Sequence, residues 1–163
     1  MQATPEMLFA VFDELGIAYT TTEHPAAFTV EQGEAVWKGI SGVHCKNLFL
    51  KDAKGRLWLV VAPHDRGINL KKLPERIGSA RLSFGQSQLL RDVLGVESGS
   101  VTPFALINDT KKRVTVVLDA WMMAQPLVNY HPLINTATTT ISNDDFRRFI
   151  KHCGNECMTV SLT

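Results

Sequence analysis

The stretch HCKNLFLKDAKGRLWLVVAPHD, residues 44–65, predicts a β-hairpin with a lysine at the mouth of an apolar strand. Its two runs, NLFLKD and RLWLVVA, are rich in the aliphatic and aromatic residues that favour strands, and the polar residues 52–55 between them suit a tight turn. Lys46 comes directly before the first of these runs. Because a buried charge without a partner is costly, this ammonium group indicates a role other than folding.

Length and composition are those of an ordinary globular protein. The chain has 163 residues, 45% hydrophobic and 20% charged, which is enough to bury one core. No apolar run approaches the roughly 18 residues of a membrane span, and the acidic, amphipathic start is unlike a signal peptide. Three cysteines form no even disulfide framework, which favours a reducing compartment. We therefore expect one domain over residues 1–163, in the cytoplasm and not attached to a membrane.

The basic residues are concentrated in one part of the chain. Residues 38–81 contain ten Lys or Arg and three Asp or Glu, a surplus of seven positive charges, whereas the whole chain carries a net charge of +1. Such a segment is compatible with a solvated basic face and equally with a surface for a polyanion such as nucleic acid. The charge pattern alone leaves both interpretations open.

Hydrophobic periodicity predicts a mixed α/β fold with a curved, mixed and largely antiparallel central sheet flanked by helices. Beyond the hairpin, strands are predicted at residues 17–25, 80–84, 99–109, 113–120, 136–142 and 157–163. Helices are predicted at about residues 5–15, 30–38, 67–78, 87–94 and 144–153. The capping residues expected for these helices are Thr4, Thr29 together with Gln32, Asn69, Ser87 and Asn143, with Gly16 ending the first helix and Pro74 cutting the third.

Two chemistries based on cysteine stay open on the residues alone. The segment HCGNEC, residues 152–157, has the ligand types of a zinc site, for which His44 and Cys45 would have to supply a second pair. Alternatively, Cys45 is a candidate nucleophile whose pKa the neighbouring Lys46 would lower.

The remaining histidines are interpreted more simply. His24 and His64 stand beside turn residues and are expected to be turn or surface residues. His131, followed by proline, would on its own be a structural histidine. Motifs of phosphate-binding loops, dinucleotide sites, serine hydrolases and zinc proteases do not occur in the sequence.

Three separated motifs point further when they are taken together. They are a lysine followed by asparagine at a strand edge (residues 46–47), a GxxxP loop (residues 99–103) and a His-Pro pair (residues 131–132). In this order they resemble the YbaK/prolyl-tRNA-synthetase-associated family, and especially its freestanding alanyl-tRNA(Pro) deacylases. The resemblance extends over about residues 18–149, and the match of residues 60–85 favours that branch.

The resemblance implies that the protein hydrolyses mischarged Ala-tRNA(Pro) with a positioned water and without a metal or another cofactor. It implies that Lys46 binds the tRNA end or the aminoacyl carbonyl, that His131 orients the ester or the amine, and that Gly99 lets the substrate approach the backbone. The other residues expected to contact the aminoacyl group or its oxyanion are Asn47, Ser100, Val101, Thr102 and Pro103. The residues expected to contact tRNA are Arg66, Lys71 and Lys72.

Size exclusion gives this reaction its physical logic. A site that accepts proline cannot strongly refuse the smaller alanine, since a missing methylene is worth only about 1–3 kcal/mol, so a second, smaller pocket has to remove the error. No strong protein base is evident, and the family is usually understood to use the neighbouring ribose hydroxyl. Alternatives are Cys-tRNA(Pro) as substrate, or a non-catalytic tRNA- or nucleotide-binding module. Transient partners would be prolyl-tRNA synthetase or an elongation factor, and the sequence does not define the oligomeric state.

Overall fold

The computed structural model describes residues 2–26 and 30–162. The strands are β1 (Tyr19–Glu23), β2 (Val43–Asp52), β3 (Leu57–Pro63), β4 (Leu82–Phe84), β5 (Val114–Asp119), β6 (Leu127–Tyr130), β7 (Ala137–Ser142) and β8 (Cys157–Val160). The helices are α1 (Pro5–Leu15), α2 (Val30–Trp37), α3 (Leu73–Ile77), α4 (Ser87–Leu94), α5 (Ala120–Met123) and α6 (Asn143–Cys153). Two 3-10 turns, Ser98–Ser100 and Pro103–Asn108, lie between α4 and β5.

The strands form one mixed sheet in the order β1-β7-β6-β2-β3-β5-β8, with β4 beside β2. Neighbours are antiparallel in the pairs β1–β7, β6–β7, β2–β3 and β2–β4. They are parallel in the pairs β2–β6, β3–β5 and β5–β8. This confirms the mixed α/β architecture expected from the sequence.

Side chains alternate along the strands and fill two cores, one on each face of the sheet. The larger core packs α1, α4 and α6 against the sheet through side chains such as Phe12, Leu94 and Phe149. The smaller core packs Leu73 and Ile77 of α3 on the other face. With both faces covered, β3 is buried along its whole length. Within the described ranges, none of the helices is long and apolar enough to cross a bilayer.

The predicted hairpin is confirmed as β2 and β3, and its turn is organised by the buried carboxylate of Asp52. One carboxylate oxygen accepts hydrogen bonds from the amides of Lys54 (2.9 Å) and Arg56 (3.0 Å). The other accepts the indole N–H of Trp58 (3.1 Å) and the amide of Ala80 (3.3 Å). Burial by itself would raise the pKa of Asp52, but these hydrogen bonds hold the pKa below its ordinary value.

Strand β2 changes its neighbour just after His44. On one side it pairs with β3 from Cys45 to Lys51. On the other side it pairs with β6 at only two positions, the last of them His44, and with β4 only from Leu50 onward. We call the opening between residues 45–49 of β2 and the end of β6 the fork. Over residues 45–48, no strand of the described chain closes this side of β2.

Local chemistry fixes where the fork begins. A Cβ atom on Gly42, whose φ is +99°, would lie 2.9 Å from the side chains of Asn129 and Leu127, so only glycine allows this entry into β2. The side-chain amide of Asn129 donates to the Ser41 carbonyl (2.9 Å) and ties the two strands together there. Pro132 has no N–H and cannot extend the β6 ladder. Strands β2 and β6 are therefore paired up to His44 and separate beyond it.

The first helix forms as expected, whereas residues 99–109 do not. The Thr4 hydroxyl accepts the Met7 amide (3.2 Å) and Gly16, with φ +70°, ends α1. Residues 99–109 contain the two 3-10 turns in place of the predicted strand, since the Thr102 hydroxyl accepts the Phe104 amide (3.2 Å) and starts the second turn. Strand β6 and helix α5, each of four residues, were too short for the sequence pattern to reveal.

Two predicted caps are wrong by one position. Gln86 and Ser142 are the N-caps of α4 and α6, whereas Ser87 and Asn143 are the first helical residues. The Ser142 hydroxyl accepts the Asp145 amide (3.1 Å), as an N-cap should.

The third helix also differs from its prediction. Pro74 does not cut α3 but stands in its first turn, where a missing N–H has no cost. The N-cap of α3 is Lys72, and the predicted cap, Asn69, instead accepts the Lys71 amide (3.0 Å) in the turn that leads into this helix. Thr29, half of the predicted capping box, lies outside the described residues.

Replacing Asp52 with alanine should lower the free energy of unfolding by about 2–4 kcal/mol, because four buried donors lose a charged acceptor. A depressed pKa makes the contribution of this carboxylate fully present above the unfolded aspartate value of about 3.9 and removes it as the pH falls through the lower folded value. Denaturant titration at pH 7 and at acid pH measures both effects. Asp13→Ala, at an exposed position of α1, is the control and should change stability by less than about 0.5 kcal/mol. Equal stability of the Asp52 and Asp13 variants would contradict this account of the turn.

Candidate functional site

Lys46 and Asn47 both stand at the fork but on opposite faces of the sheet. Asn47 shares its face with Phe49 of the larger core, and Lys46 shares its face with Leu48, which packs on the smaller core. Both side chains are half-buried. Within the described ranges, no hydrogen bond or ion pair reaches the Lys46 ammonium group. Its charge is therefore available to a ligand.

Asn47 offers polar groups to the fork from its main chain and holds an unused acceptor on its side chain. The His64 amide donates to the His44 carbonyl (2.8 Å) and the Asp52 amide to the Arg56 carbonyl (2.9 Å), so the even-numbered residues of β2 bond to β3. The peptide groups of Asn47 consequently point away from β3. Its side-chain Oδ1 is buried and finds no donor in the described chain. Leaving a buried acceptor unpaired costs about 1–3 kcal/mol, as it also does at Asn143 and Asn155, and at the fork a ligand with a donor would remove this cost.

The loop of residues 99–103 is anchored by its own side chains. Thr102 and Pro103 are buried, and Val101 packs on the larger core. Phe104, the next residue, meets the ring of Tyr130 at a centroid distance of 5.4 Å. The loop is thus held beside the last residue of β6, at the fork.

Not every N–H group of this loop is available to an oxyanion. The Ser100 amide donates to the Glu97 carbonyl (2.9 Å) and is used by the turn. The amides of Gly99 and Val101 make no hydrogen bond within the described chain. A Cβ atom on Gly99 would meet only the Asn135 side chain, at 3.4 Å, so the backbone here is open to a close approach.

His131 is positioned and kept neutral. Its Nδ1 lies 3.0 Å from the Ala137 carbonyl, which can only accept, so Nδ1 carries the proton and Nε2 is left as an acceptor. Burial lowers the pKa of His131 below its ordinary value, and the nearby His24 lowers it further. Two residues on, Leu133 is buried and has φ +72°, a strained conformation for a branched side chain. Its packing in the larger core holds the loop that carries His131.

His24, expected from the sequence to be a turn or surface histidine, lies beside His131. It is half-buried, its Nε2 lies 2.8 Å from the Thr138 hydroxyl, and its ring centroid is 6.3 Å from that of His131. The antiparallel pairing of β1 with β7 brings the two histidines together. No local pattern signals this contact, because the two residues lie far apart in the chain.

The structure does not support Cys45 as a nucleophile. Its thiol contacts the Met122 sulfur at 3.4 Å, and burial raises the pKa of Cys45 to about 12. Lys46 cannot activate it, because alternation places the two side chains on opposite faces. At neutral pH the group is a thiol, which is a poor nucleophile.

The cysteines of the HCGNEC segment are also separated. Cys153 is buried in the larger core, whereas Cys157 is exposed. Across residues 2–26 and 30–162, no three or more His, Cys, Asp or Glu side chains are grouped so that they could hold a metal ion.

The three predicted tRNA-binding residues have different surroundings. Arg66 forms an ion pair of 2.9 Å with Asp119, which is fully buried, and so fastens the segment after β3 to the end of β5. Lys71 and Lys72 are exposed beside α3. Their ammonium groups are free to meet phosphates, whereas the guanidinium of Arg66 is already engaged.

Comparison with known proteins identifies the family. The profile of the aminoacyl-tRNA editing domain matches residues 24–149. The chain belongs to this family. Membership confirms the resemblance described from the sequence, together with the enzyme class it implies, an aminoacyl-tRNA deacylase.

Curated relatives cover most of the chain. The prolyl-tRNA editing protein ProX of Acetoanaerobium sticklandii is 39% identical over 158 residues, which are 96% of each chain. The prolyl-tRNA synthetase associated domain-containing protein 1 of Danio rerio is 42% identical over 139 residues, which are 84% of this chain and 76% of that protein.

Solved structures share the fold at low sequence identity. A candidate trans-editing enzyme for prolyl-tRNA synthetase superposes with a TM-score of 0.70 at 15% identity and covers 99% of both chains. The hypothetical protein APE2540 superposes with a TM-score of 0.71 at 18% identity and covers 92% of this chain and 95% of its own. These similarities establish the topology of the editing-domain family for this chain.

Replacing Cys45 with alanine should leave aminoacyl-tRNA deacylation close to the wild-type rate, because the thiol is protonated and faces the core. Loss of a true covalent nucleophile costs a factor of about 10⁶. Single-turnover deacylation measures the rate, and a thermal melt verifies the fold. Cys153→Ala, which removes a buried thiol elsewhere in the core, is the matched control. A folded Cys45 variant that is inactive beside an active Cys153 variant would establish a thiol mechanism.

Proposed function

We propose that residues 1–163 form a single editing domain that deacylates mischarged Ala-tRNA(Pro) in the cytoplasm. The observation that carries the proposal is the pair of unsatisfied groups at the fork, the buried Oδ1 of Asn47 and the free ammonium of Lys46. An aminoacyl ester on a tRNA end offers an α-ammonium donor and phosphate oxygens, which complement these two groups. The relative named as a prolyl-tRNA editing protein supports proline tRNA as the carrier.

The proposed reaction uses water as the nucleophile. Asn47 Oδ1 accepts a hydrogen bond from the α-ammonium group, and Lys46, on the opposite face of the sheet, binds a phosphate of the terminal nucleotide. The amides of Gly99 and Val101, which make no hydrogen bond within the described chain, stabilise the oxyanion that forms as water attacks. Collapse of the tetrahedral intermediate releases alanine and leaves the ribose hydroxyl on the tRNA. The residues near these donors that shape the pocket are Ser100, Thr102 and Pro103.

His131 has a positioning role in this proposal. Its Nε2 is an acceptor, so it can receive a hydrogen bond from the ribose hydroxyl beside the ester or from the attacking water. Because burial keeps its pKa low, the imidazole stays neutral at pH 7 and does not repel the substrate ammonium. The ribose hydroxyl itself completes the activation of water.

The selectivity is expected to arise from size and the affinity from charge. A pocket lined by the main chain at Gly99 and by Asn47 admits the alanyl methyl group and excludes the prolyl ring. Lys71 and Lys72 add phosphate contacts outside the pocket, which makes tRNA affinity dependent on salt. Prolyl-tRNA synthetase or an elongation factor would deliver the substrate in transient contacts.

The test is a deacylation panel with Ala-, Cys-, Ser- and Pro-tRNA(Pro), run with the wild type and with Lys46→Ala. We expect fast hydrolysis of Ala-tRNA(Pro) and near-intact Pro-tRNA(Pro). Lys46→Ala should slow the alanyl reaction about ten- to a hundredfold, as the loss of a charge-assisted contact of about 1.5–3 kcal/mol predicts. Its melting temperature should not fall, because the ammonium has no partner among the described residues.

Lys51→Ala is the matched control, since Lys51 is an exposed lysine on the same strand. It should retain wild-type hydrolysis. Faster hydrolysis of the prolyl ester than of the alanyl ester would refute Ala-tRNA(Pro) as the substrate. A preference for Cys-tRNA(Pro) would make that ester the substrate instead. Binding of tRNA without hydrolysis of any ester would reduce the protein to a binding module.

A further inference from the structure

A cavity of about 530 Å³ lies beside the first residues of β2, next to the fork but separate from the groups assigned above. It is formed where the ends of β3 and α5 meet the start of β2 and β6. The residues that line it are Ser41, Gly42, Val43, His44, Pro63, His64, Asp65, Trp121, Gln125, Pro126 and Leu127. Its volume is within the range of about 300–1,000 Å³ that small ligands occupy.

Three of the residues that line this cavity carry rings, His44, His64 and Trp121, and Trp37 packs on the two histidines. The ring of Trp37 lies parallel to that of His44, at 5.1 Å and 16°, and 4.6 Å from that of His64. Trp121 stands at the rim and is 52% exposed, although it is a large apolar side chain. The exposed ring of Trp121 and the imidazole of His44, which Trp37 holds in place, both line the cavity and offer a flat ligand surfaces on which to stack.

Charged groups around the rings define the ligand further. Lys46 follows His44 by two residues on the same face of β2, and residues 38–81, which include the histidines, carry a surplus of seven positive charges. Asp65 lines the cavity as a carboxylate acceptor, and Gln125 adds an amide. A planar ligand with an anionic backbone and an exocyclic amine would satisfy all of these groups. Cytosine, adenine and guanine carry such an amine, whereas uracil does not, and the CCA end of a tRNA contains the first two.

We propose that this cavity binds an unpaired cytosine or adenine base of the tRNA acceptor end while the terminal aminoacyl nucleotide occupies the fork. The proposal rests on the proposed function for the identity of the RNA. Stacking on Trp121 and His44 holds the base, Asp65 accepts from its amine, and the adjoining Lys46 meets the backbone. The unpaired end of a tRNA is single-stranded, as base stacking on protein rings requires.

The experiment measures binding of two RNA hairpins with the same acceptor stem, one ending in CCA and one lacking it. The wild type should bind the CCA hairpin more tightly. Trp121→Ala should weaken CCA binding about 5- to 100-fold, the effect of removing a base-stacking ring, while binding of the shortened hairpin stays the same. Trp121→Phe should retain most of the affinity, and a third hairpin ending in UUU should bind like the shortened one.

Phe84→Ala is the matched control. Phe84 is 64% exposed and lines a different cavity beside Lys51 and Arg81, so its loss should not alter the preference for the CCA hairpin. Unchanged CCA binding in Trp121→Ala, or an equal loss for both hairpins, would overturn the proposal. Trp121 is exposed, so a melting curve should verify that its variants fold.

A deacylation assay separates this inference from the proposed function. Trp121→Ala should raise KM for Ala-tRNA(Pro) and leave kcat near the wild-type value, because the ring binds a base remote from the ester. If the wild type hydrolyses no alanyl ester but still binds the CCA hairpin more tightly in a way that requires Trp121, the proposed function fails and the base site stands. If hydrolysis occurs and Trp121→Ala leaves KM and hairpin affinity unchanged, the base site fails alone.

Discussion

The separation of β2 from β6 is the constraint on which the rest of the structure depends. The two strands can pair at only two positions, because Gly42 and the Asn129 amide hold them together at the start and Pro132 prevents β6 from continuing. Strand β2 nevertheless continues, since its other side is paired with β3 throughout. Within the described chain, one side of β2 therefore stays open in the middle of the sheet.

This opening explains the unsatisfied polar groups of the site. Within a closed sheet, a neighbouring strand would pair with the peptide groups of Asn47. The ammonium group of Lys46 would then be buried beside Leu48 without a partner, which is costly. At the fork the same groups face a gap that a ligand can fill. The neutral His131 and the anchored loop at residues 99–103 border the gap from the end of β6. Leaving these groups unpaired costs free energy, which a ligand that pairs with them would return.

The sequence pattern predicted the elements that depend on residues close in the chain. It failed for the features that contacts between distant segments determine. The hairpin, the caps of α1 and the strand at β7 follow from short-range periodicity and turn chemistry. The 3-10 turns after α4 contain a run of buried apolar residues, which in the sequence is typical of a strand. Their turn conformation depends on tertiary packing, which the sequence pattern does not show. The three site motifs at Lys46, Gly99 and His131 were recognisable by resemblance. The contact of His24 with His131 was not, since pairing of β1 with β7 creates it.

The measurement that tests the central claim most directly is a map of amide chemical shifts by NMR with a stable substrate analogue. 3′-Alanylamino-3′-deoxyadenosine carries an amide in place of the ester and cannot be cleaved at the rate of the ester. If the fork is the site, its addition should shift the amides of Asn47, Gly99 and Val101 and those of the loop that carries His131. Shifts confined to the cavity beside Phe84 and Arg81, with Asn47 unchanged, would contradict the account.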